Sequence, residues 1–272
     1  MRKLIAVFVL TLLFVGCERK YSTEMVAVFS RASNDDGLLV LLDGEANSIK
    51  DIKTIYPLKN YIQNEKVYLS YDEKKYLVYN CYSGKKIGEL NGVNGDLLYV
   101  DNKGNYVTSN AGYIYFFNNN NKPVEQIECD YSYYIGNACE FYVVDQNKQF
   151  YYFNDGVLMQ QYSINNNNNY LSFALINGQV YLVSDNSYTL MDKGQMKMTY
   201  LILENYDVIK AKNDLLFAYQ DDELVCLRVS FSQFMIEFTP VYDEKYYREI
   251  NFENEFSSYY ENGYEIENIC IY

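Results

Sequence analysis

The sequence contains no histidine. This absence excludes a Ser-His-Asp or Cys-His nucleophile system, a histidine general base and every histidine-ligated metal site. No two cysteines have the Cys-x-x-Cys spacing of a structural zinc site, and no glycine-rich loop of the phosphate-binding type is present. Most familiar hydrolase mechanisms are therefore excluded, and we expect no cofactor and no bound metal ion.

Tryptophan is also absent, and only three prolines occur in 272 residues. The lack of tryptophan argues against a carbohydrate site built on ring stacking. Helical periodicity is missing beyond the first sixteen residues, and few prolines interrupt the apolar runs that follow. The sequence therefore predicts an all-β chain.

What is abundant is tyrosine, with 32 residues, in short apolar runs separated by Asn-Gly or Asp-Gly pairs. One such pair, Asn177-Gly178, lies between two strand-like runs and predicts a hairpin, since both residues tolerate positive φ. The unit that begins at Asp96 reads as four strands, over 96–101, 105–109, 113–118 and 123–128. A four-stranded unit that recurs roughly every 36 residues indicates a β-propeller.

The hairpins align into about seven four-stranded blades, with six or eight as alternatives. The last unit shows three strand-like runs, over 247–253, 256–261 and 264–272. We expect residues 25–31 to supply its fourth strand and close the ring, which would remove an exposed sheet edge. The predicted starts of the second strands are Leu38, Val67, Tyr106, Phe141, Val180, Leu215 and Phe256.

Residues 76–90, which read YLVYNCYSGKKIGEL, resemble the repeat of PQQ-like (quinoprotein-type) propellers. In that repeat a strand ends in a Gly-Lys turn and the next strand follows. A tryptophan usually closes it, whereas this chain has Gly88 at the matching place. The resemblance implies propeller geometry of the quinoprotein or WD40-like kind without quinone binding. Lipoproteins of that family act as assembly scaffolds, including one in the machinery that inserts outer-membrane proteins.

The first residues read as a bacterial lipoprotein signal peptide. Arg2 and Lys3 precede an apolar stretch too short to span a bilayer, and Gly16 stands before Cys17. We expect cleavage before Cys17 and attachment of lipid to its sulfur; an ordinary secretory signal is the alternative. The predicted organisation is a signal peptide at 1–16, a lipidated tether at 17–24 and a propeller domain at 25–272.

The chain is acidic, with a net charge of −13 that becomes −15 once Arg2 and Lys3 are removed. Such a charge repels phosphate backbones and anionic lipid headgroups, so we predict no nucleic-acid partner and membrane contact through the lipid alone. Two or three acyl chains suffice for stable anchoring. The predicted location is the bacterial cell envelope, outside the cytoplasm.

Cysteine and tyrosine usage have structural interpretations. Cys129 and Cys139 are expected at opposite ends of one strand, too far apart for a disulfide, and the others at apolar positions where thiols pack as small hydrophobes. In a tyrosine doublet such as Tyr151-Tyr152, the two rings face opposite sides of a blade. Doublets could also form a recognition surface for protein or glycan.

Carboxylates remain the candidates for catalysis, because acid pairs cleave glycosidic bonds without histidine. Contiguous acids in predicted loops are ordinarily solvated turn residues, so we assign no catalytic residue. A loop that begins at Asp101 is interpreted as a tight turn at Gly104 rather than a calcium site. The acidic runs are Asp35-Asp36, Asp221-Asp222-Glu223 and Asp243-Glu244.

Two functions follow. The preferred one is a lipid-anchored propeller that acts as a non-catalytic binding or assembly scaffold for another protein or a surface polymer. The alternative is a histidine-free, carboxylate-dependent enzyme that acts on glycans. Carboxylates that converge at one mouth of the channel would favour the alternative, and a channel filled by apolar or tyrosine side chains would favour the scaffold.

Overall fold

In a computed structural model of the protein, the described strands form six antiparallel sheets arranged as the blades of a propeller. Each blade has four principal strands, and one blade carries an additional short strand. The all-β propeller predicted from the sequence is thereby confirmed. The structure describes residues 25–43, 46–72, 74–137, 139–155, 157–164, 171–202, 207–212, 215–220, 223–233, 235–241 and 250–271.

The blades follow one another along the chain, except that the first is completed by the last strand. Blade 1 contains β1 (Met25–Arg31), β2 (Asp36–Leu42), β3 (Ser48–Ile55) and β25 (Glu265–Ile271). Blade 2 contains β4 (Lys59–Gln63), β5 (Lys66–Asp72), β6 (Lys75–Asn80) and β7 (Lys86–Asn91). Blade 3 contains β8 (Asp96–Val100), β9 (Tyr106–Asn110), β10 (Tyr113–Phe117) and β11 (Pro123–Glu128).

The remaining three blades have the same plan. Blade 4 contains β12 (Tyr131–Gly136), β13 (Glu140–Asp145), β14 (Gln149–Asn154) and β15 (Val157–Ser163). Blade 5 contains β16 (Leu171–Ile176), β17 (Gln179–Ser184), β18 (Ser187–Asp192) and β19 (Gln195–Leu201). Blade 6 contains β20 (Asp207–Lys212), β21 (Leu215–Gln220), β22 (Glu223–Phe231) and β23 (Ile236–Pro240), with β24 (Ile250–Asn251) beside β22.

The innermost strand of each blade lies at the ring axis; it is β25 in blade 1 and the earliest strand in sequence in the other five, and strands are counted outward from it. Strand β4 contacts β8, β12 contacts β16, β16 contacts β20, β20 contacts β25, and β25 contacts β4. Because neighbouring strands in a blade are antiparallel, the turns after first and third strands lie on one side of the ring. We call that side the lower face. In each blade, we call the strand farthest from the axis the outer strand.

The predicted seventh blade is wrong, since the described chain forms six. The run at 256–261 does not form a strand but is helical at Ser257–Glu261, after a first short helix at Phe252–Glu255. Phe256 is 1% exposed and packs edge-on against Phe29, with the ring centroids 5.3 Å apart. Burial of this ring against blade 1 outweighs the strand propensity of the local sequence.

Ring closure occurs, but with the opposite division of strands from the one expected. We expected three late strands to be joined by Met25–Arg31. Instead β1, β2 and β3 are joined by one late strand, β25, which pairs antiparallel with β1 from Met25↔Ile271 to Ser30↔Glu265. Pairing on both sides leaves β1 with no open edge.

Six apolar clusters hold the ring together, one between each pair of adjacent blades. Between blades 1 and 2, for example, Val28 and Leu41 pack with Val67 and Leu69. The doublet Tyr151-Tyr152 spans two junctions as predicted, because Tyr151 packs toward blade 3 and Tyr152 toward blade 5. Burial between blades is therefore the main apolar stabilisation of the fold.

Most predicted second strands are correct. Val67, Tyr106, Phe141, Val180 and Leu215 all lie in second strands, whereas Leu38 lies in the third strand of its blade and Phe256 precedes a helix. The four strands predicted from Asp96 correspond to β8 to β11. The Asn177-Gly178 hairpin is also present, with φ values of 50° and 74°.

The segment that resembles the PQQ-like repeat forms β6, a turn and β7. The turn places Gly84 at φ +61°, and a Cβ there would stand 1.9 Å from Ile52 Cδ1, so both backbone conformation and packing favour glycine. Strand, Gly-Lys turn and following strand occur in the order that the resemblance implies.

Cys81 and Cys226 are buried, as expected of thiols in apolar runs, whereas Cys270 is half-buried. Cys129 is buried and Cys139 exposed, and the two flank β12 at opposite ends as expected. Burial raises the pKa of the Cys129 thiol to about 12, and the charges of Asp145 and Asp130 add to the shift. The signal peptide, Cys17 and the tether lie outside the described residues. None of the described helices has the length and apolar character needed to cross a bilayer.

Candidate functional site

A cavity of about 820 Å³ opens on the lower face and extends toward the ring axis. Four successive innermost strands contribute to its wall, through Tyr61, Leu98, Ile135 and Leu175. The turns of blades 4 and 5 form the rim. We call this cavity the lower-face pocket; its volume lies within the range of small-molecule and peptide sites.

Tyr61 and Gln63 fix the wall on the side of blades 2 and 3. The Tyr61 hydroxyl lies 2.7 Å from the carbonyl oxygen of Leu98 and 2.7 Å from Gln63 Oε1, and donates to one of them at a time. Gln63 Oε1 also accepts from the backbone nitrogen of Val100 at 2.8 Å. Burial raises the pKa of Tyr61, with further contributions from Tyr68 and Tyr99. Hydrogen bonds therefore position this part of the wall, and its Tyr61 hydroxyl is uncharged at neutral pH.

Tyr134 fills part of the pocket nearest the axis. Its hydroxyl donates to the carbonyl oxygen of Asn137 at 3.0 Å, and its ring stacks on Phe141 at a centroid distance of 5.4 Å. Burial raises the pKa of Tyr134, and the proximity of Tyr61 and Tyr99 adds to the shift. Tyr61, Tyr134 and Tyr142 all line this cavity, but they leave it open rather than filled.

Two carboxylates, Glu140 and Asp192, also line this pocket. The Tyr152 hydroxyl donates to Glu140 Oε1 at 3.0 Å. The pKa of Tyr152 is raised. Burial is the largest cause, followed by the hydrogen bond to Glu140 and by the negative charges of Glu140 and Asp192. The pKa of Tyr142 is raised by burial and by the same two carboxylates. Glu140 and Asp192 therefore line the same pocket, although 52 positions separate them in the sequence.

Lysines balance this acidic pair on the rim. Lys197 Nζ lies 3.7 Å from Asp192 Oδ2 and donates to Gln195 Oε1 at 2.9 Å. Lys193 also lines the pocket. Exposed pairs of this kind contribute about 0–1 kcal/mol each to stability. The rim is thus nearly neutral in total charge, which suits a polar ligand better than a strongly charged one.

The acidic runs named from the sequence do not form this site. Asp36 pairs with Arg31, and Asp35 adopts a left-handed turn conformation. Glu223 begins β22 in blade 6. The runs' other members, Asp221, Asp222, Asp243 and Glu244, lie outside the described residues.

The Asp101 loop is the tight turn predicted. Asp101 Oδ1 accepts from the backbone nitrogens of Lys103 and Asn105, both at 2.8 Å, and Gly104 has φ +84°. Burial acts to raise the pKa of Asp101, but hydrogen bonds from Asn105, Lys103 and Gly104 hold it below the ordinary value. Over the described part of the chain, no group of three or more Cys, Asp or Glu side chains is placed to hold a metal ion.

Comparison with known proteins supports the fold. No protein-family model matches the sequence, and no curated protein matches it. Raptor from Chaetomium thermophilum is similar in structure, with a TM-score of 0.55 and 7% identity over 82% of this chain and 25% of Raptor. Kluyveromyces lactis Hsv2 with its loop 6CD replaced by a Gly-Ser linker has a TM-score of 0.50 and 12% identity, over 81% of this chain and 82% of Hsv2. BamB from Moraxella catarrhalis has a TM-score of 0.44 and 11% identity, over 80% of this chain and 69% of BamB. At these identities the likeness shows the propeller fold alone.

Proposed function

We propose that the protein is a lipid-anchored, extracytoplasmic β-propeller that binds another protein or a surface polymer without turnover. The lower-face pocket is the observation that carries this proposal. Its hydroxyls are held by hydrogen bonds, its acids stand beside Tyr152 and Lys197, and Leu175 presents an apolar side chain that is 49% exposed. A fixed polar wall with an exposed apolar contact suits recognition.

Crosslinking at the pocket tests the binding role. A photo-reactive residue at Leu175 is expected to capture a stoichiometric partner in intact cells. The matched control is Ile87, which is 51% exposed on the outer strand of blade 2. Equal capture from both positions, or none from Leu175, would count against the pocket as the binding site.

The anchor is tested separately. Replacing Cys17 with Ser removes the sulfur that would carry the lipid, so the protein is expected to move from the membrane fraction to the soluble envelope fraction. A Cys81→Ser variant, which changes a buried thiol in the propeller, serves as the control. If the Cys17 variant stays with the membrane, the anchor assignment is wrong.

A glycan-cleaving enzyme is the second candidate, and the presence of both Glu140 and Asp192 in the lower-face pocket favours it. Paired carboxylates supply the acid and the nucleophile or base of glycosidases. Under the scaffold proposal, the wild-type protein releases no reducing sugar from envelope polysaccharides. If the wild-type protein does release reducing sugar, and if both Glu140→Gln and Asp192→Asn abolish this release, the protein is the enzyme and the scaffold proposal is wrong.

A further inference from the structure

The outer strand of blade 4, β15, is unusually apolar for an open sheet edge. Val157, Leu158 and Met159 are consecutive and are 59%, 44% and 51% exposed. The strand reads VLMQQYS, with no charged residue and no proline. Natural sheets normally protect such edges with charges or proline, because unpaired backbone groups otherwise accept another strand.

The other outer strands carry that protection. Among the outer strands that the structure describes, β15 alone has neither a charged residue nor a proline. The protecting residues are Lys50, Asp51 and Lys53 in β3, Lys86 and Glu89 in β7, Pro123, Glu125 and Glu128 in β11, Lys197 in β19, and Glu237 and Pro240 in β23. Among the described residues nothing pairs with the outer edge of β15, although the strand has a β-bulge at Met159, which lies between the paired residues Leu158 and Gln160.

Side chains of β15 pack against β14 of its own blade and against the neighbouring blade 5. Tyr162 stacks on Phe150 of β14 at a centroid distance of 4.7 Å. The turn before β19 packs so closely that a Cβ at Gly194 would lie 2.8 Å from Gln160 Cγ and 2.7 Å from Tyr152 Cβ. A strand held from behind in this way has less conformational freedom to lose on pairing, which favours binding.

We infer that an extended, uncharged, apolar segment of a protein partner pairs with β15 as a fifth strand of blade 4. This inference rests on the proposed function, since it names the class of partner and a second contact surface. Main-chain hydrogen bonds supply affinity in strand addition, and alternate side chains supply specificity. An uncharged edge matches an uncharged strand, because a charged strand would lose hydration without gaining an ion pair.

A second copy of the chain is disfavoured as the occupant. Each copy carries a net charge of −13, or −15 after the expected cleavage, so two copies repel when brought edge to edge. Seven residues of strand span about 23 Å, long enough for a segment of ordinary strand length.

The test uses a defined probe on the full chain. The probe is a capped peptide of about eight residues with alternating valine and threonine, labelled with fluorescein. We expect saturable binding by fluorescence anisotropy, and amide exchange protection confined to residues 157–163. A peptide with glutamate in place of threonine is expected to bind at least tenfold more weakly.

Two variants locate the contact. Leu158→Lys and Met159→Lys each restore an edge charge, and each is expected to weaken binding of the valine-threonine peptide at least tenfold. Val124→Lys, at a 70% exposed position on the already charged β11, is the matched control and should leave binding unchanged. Thermal unfolding of all three variants close to wild type confirms that they fold.

Each contrary outcome has a distinct meaning. No binding, protection elsewhere, or equal weakening by Val124→Lys overturns strand addition. A wild-type dimer in light scattering that Leu158→Lys dissociates assigns the edge to a second copy and also overturns it. Suppose that a partner is crosslinked from Leu175 equally well when the protein also carries Leu158→Lys, and that β15 gains no exchange protection. Strand addition is then wrong, while the scaffold proposal stands. If no partner is captured in either background, the proposed function itself fails.

Discussion

The junction between blades 6 and 1 and the outer side of blades 4 and 5 use the same four-stranded sheets differently. At the closing junction, Phe29 is fully buried and contacts the rings of Phe256 and Tyr259, at 5.3 and 5.0 Å. At blades 4 and 5, Met159 of β15 and Met196 of β19 are 51% and 48% exposed. One region directs its apolar surface inward to hold the ring, and the other directs it outward.

Polar contacts differ in the same way. In the closing region, Arg31 pairs with Asp36, donates to the carbonyl oxygen of Asn262 and stands 4.6 Å from the centre of the Tyr264 ring. Ser30 also donates to Glu267. Apart from the Arg31–Asp36 pair, these contacts join β1 to residues near the end of the chain. In the lower-face pocket the polar groups instead surround a cavity. The comparison teaches that sheet architecture alone does not decide which blade is structural and which is available for binding.

The largest expected effect comes from removing the closing strand. Ending the chain after Gly263 deletes β25 and leaves the inner edge of β1 unpaired, so the ring cannot close. We expect loss of cooperative thermal unfolding and an increase in hydrodynamic radius, measured by circular dichroism and size-exclusion chromatography. A truncated chain that still unfolds cooperatively near the wild-type temperature would contradict closure by β25.

Phe29→Ala tests the same junction by a smaller change. The ring is fully buried, so its loss leaves a cavity and should lower the free energy of unfolding by about 3–5 kcal/mol. Val124→Ala, at a 70% exposed position, should change it by less than about 0.5 kcal/mol. Urea denaturation measures both. Similar small losses would mean that Phe29 is not packed in the closing junction.

How much could be predicted from the sequence differs between these regions. The strands of blade 3 and the hairpin at Asn177-Gly178 were predictable, because turn chemistry and alternation are local. The helix at Ser257–Glu261 was not, because aromatic residues there favour a strand locally and only the contact of Phe256 with Phe29 reverses the preference. The way in which blade 1 is completed was equally hard to predict. Either one early strand joins three late ones or three early strands join one late one, and no local sequence pattern distinguishes the two.

The pocket was harder still. Glu140 and Asp192 stand at the ends of ordinary hairpin strands, and no local pattern links them. Only the placement of blade 5 beside blade 4 brings both near Tyr152. The one available signal was weak: each stands next to a turn on the lower face. The uncharged sequence of β15, by contrast, is readable once its position as an outer strand is known.

Tyr61→Phe sharpens the comparison at the pocket wall. The change removes the hydroxyl bond to the carbonyl oxygen of Leu98 while leaving the ring in place. We expect the free energy of unfolding to fall by about 1 kcal/mol. Tyr82→Phe is the control, because its hydroxyl bonds to Glu65 at 3.0 Å on the exposed surface and should contribute less. A larger effect of the control would place the Tyr61 hydroxyl in solvent.

The smallest expected effect concerns the charged edge of β7. Hydrogen bonds from Lys75 and then Lys86 lower the pKa of Glu89 from 4.5 to about 2. Because the folded pKa is the lower one, this stabilisation is present above about pH 4.5 and is lost as the pH falls toward 2. Glu89→Gln should therefore reduce the difference in urea midpoint between pH 7 and pH 3. An unchanged difference would mean that these ion pairs contribute nothing measurable.

Amide hydrogen exchange on the intact protein tests the central claim most directly, namely that β25 closes the ring while β15 stays open to a partner. We predict that peptides from β1 and β25 exchange at one common slow rate, set by unfolding of the whole ring, and that β15 exchanges faster. Exchange of β25 well before β1, or of β15 as slowly as β1, would contradict the account.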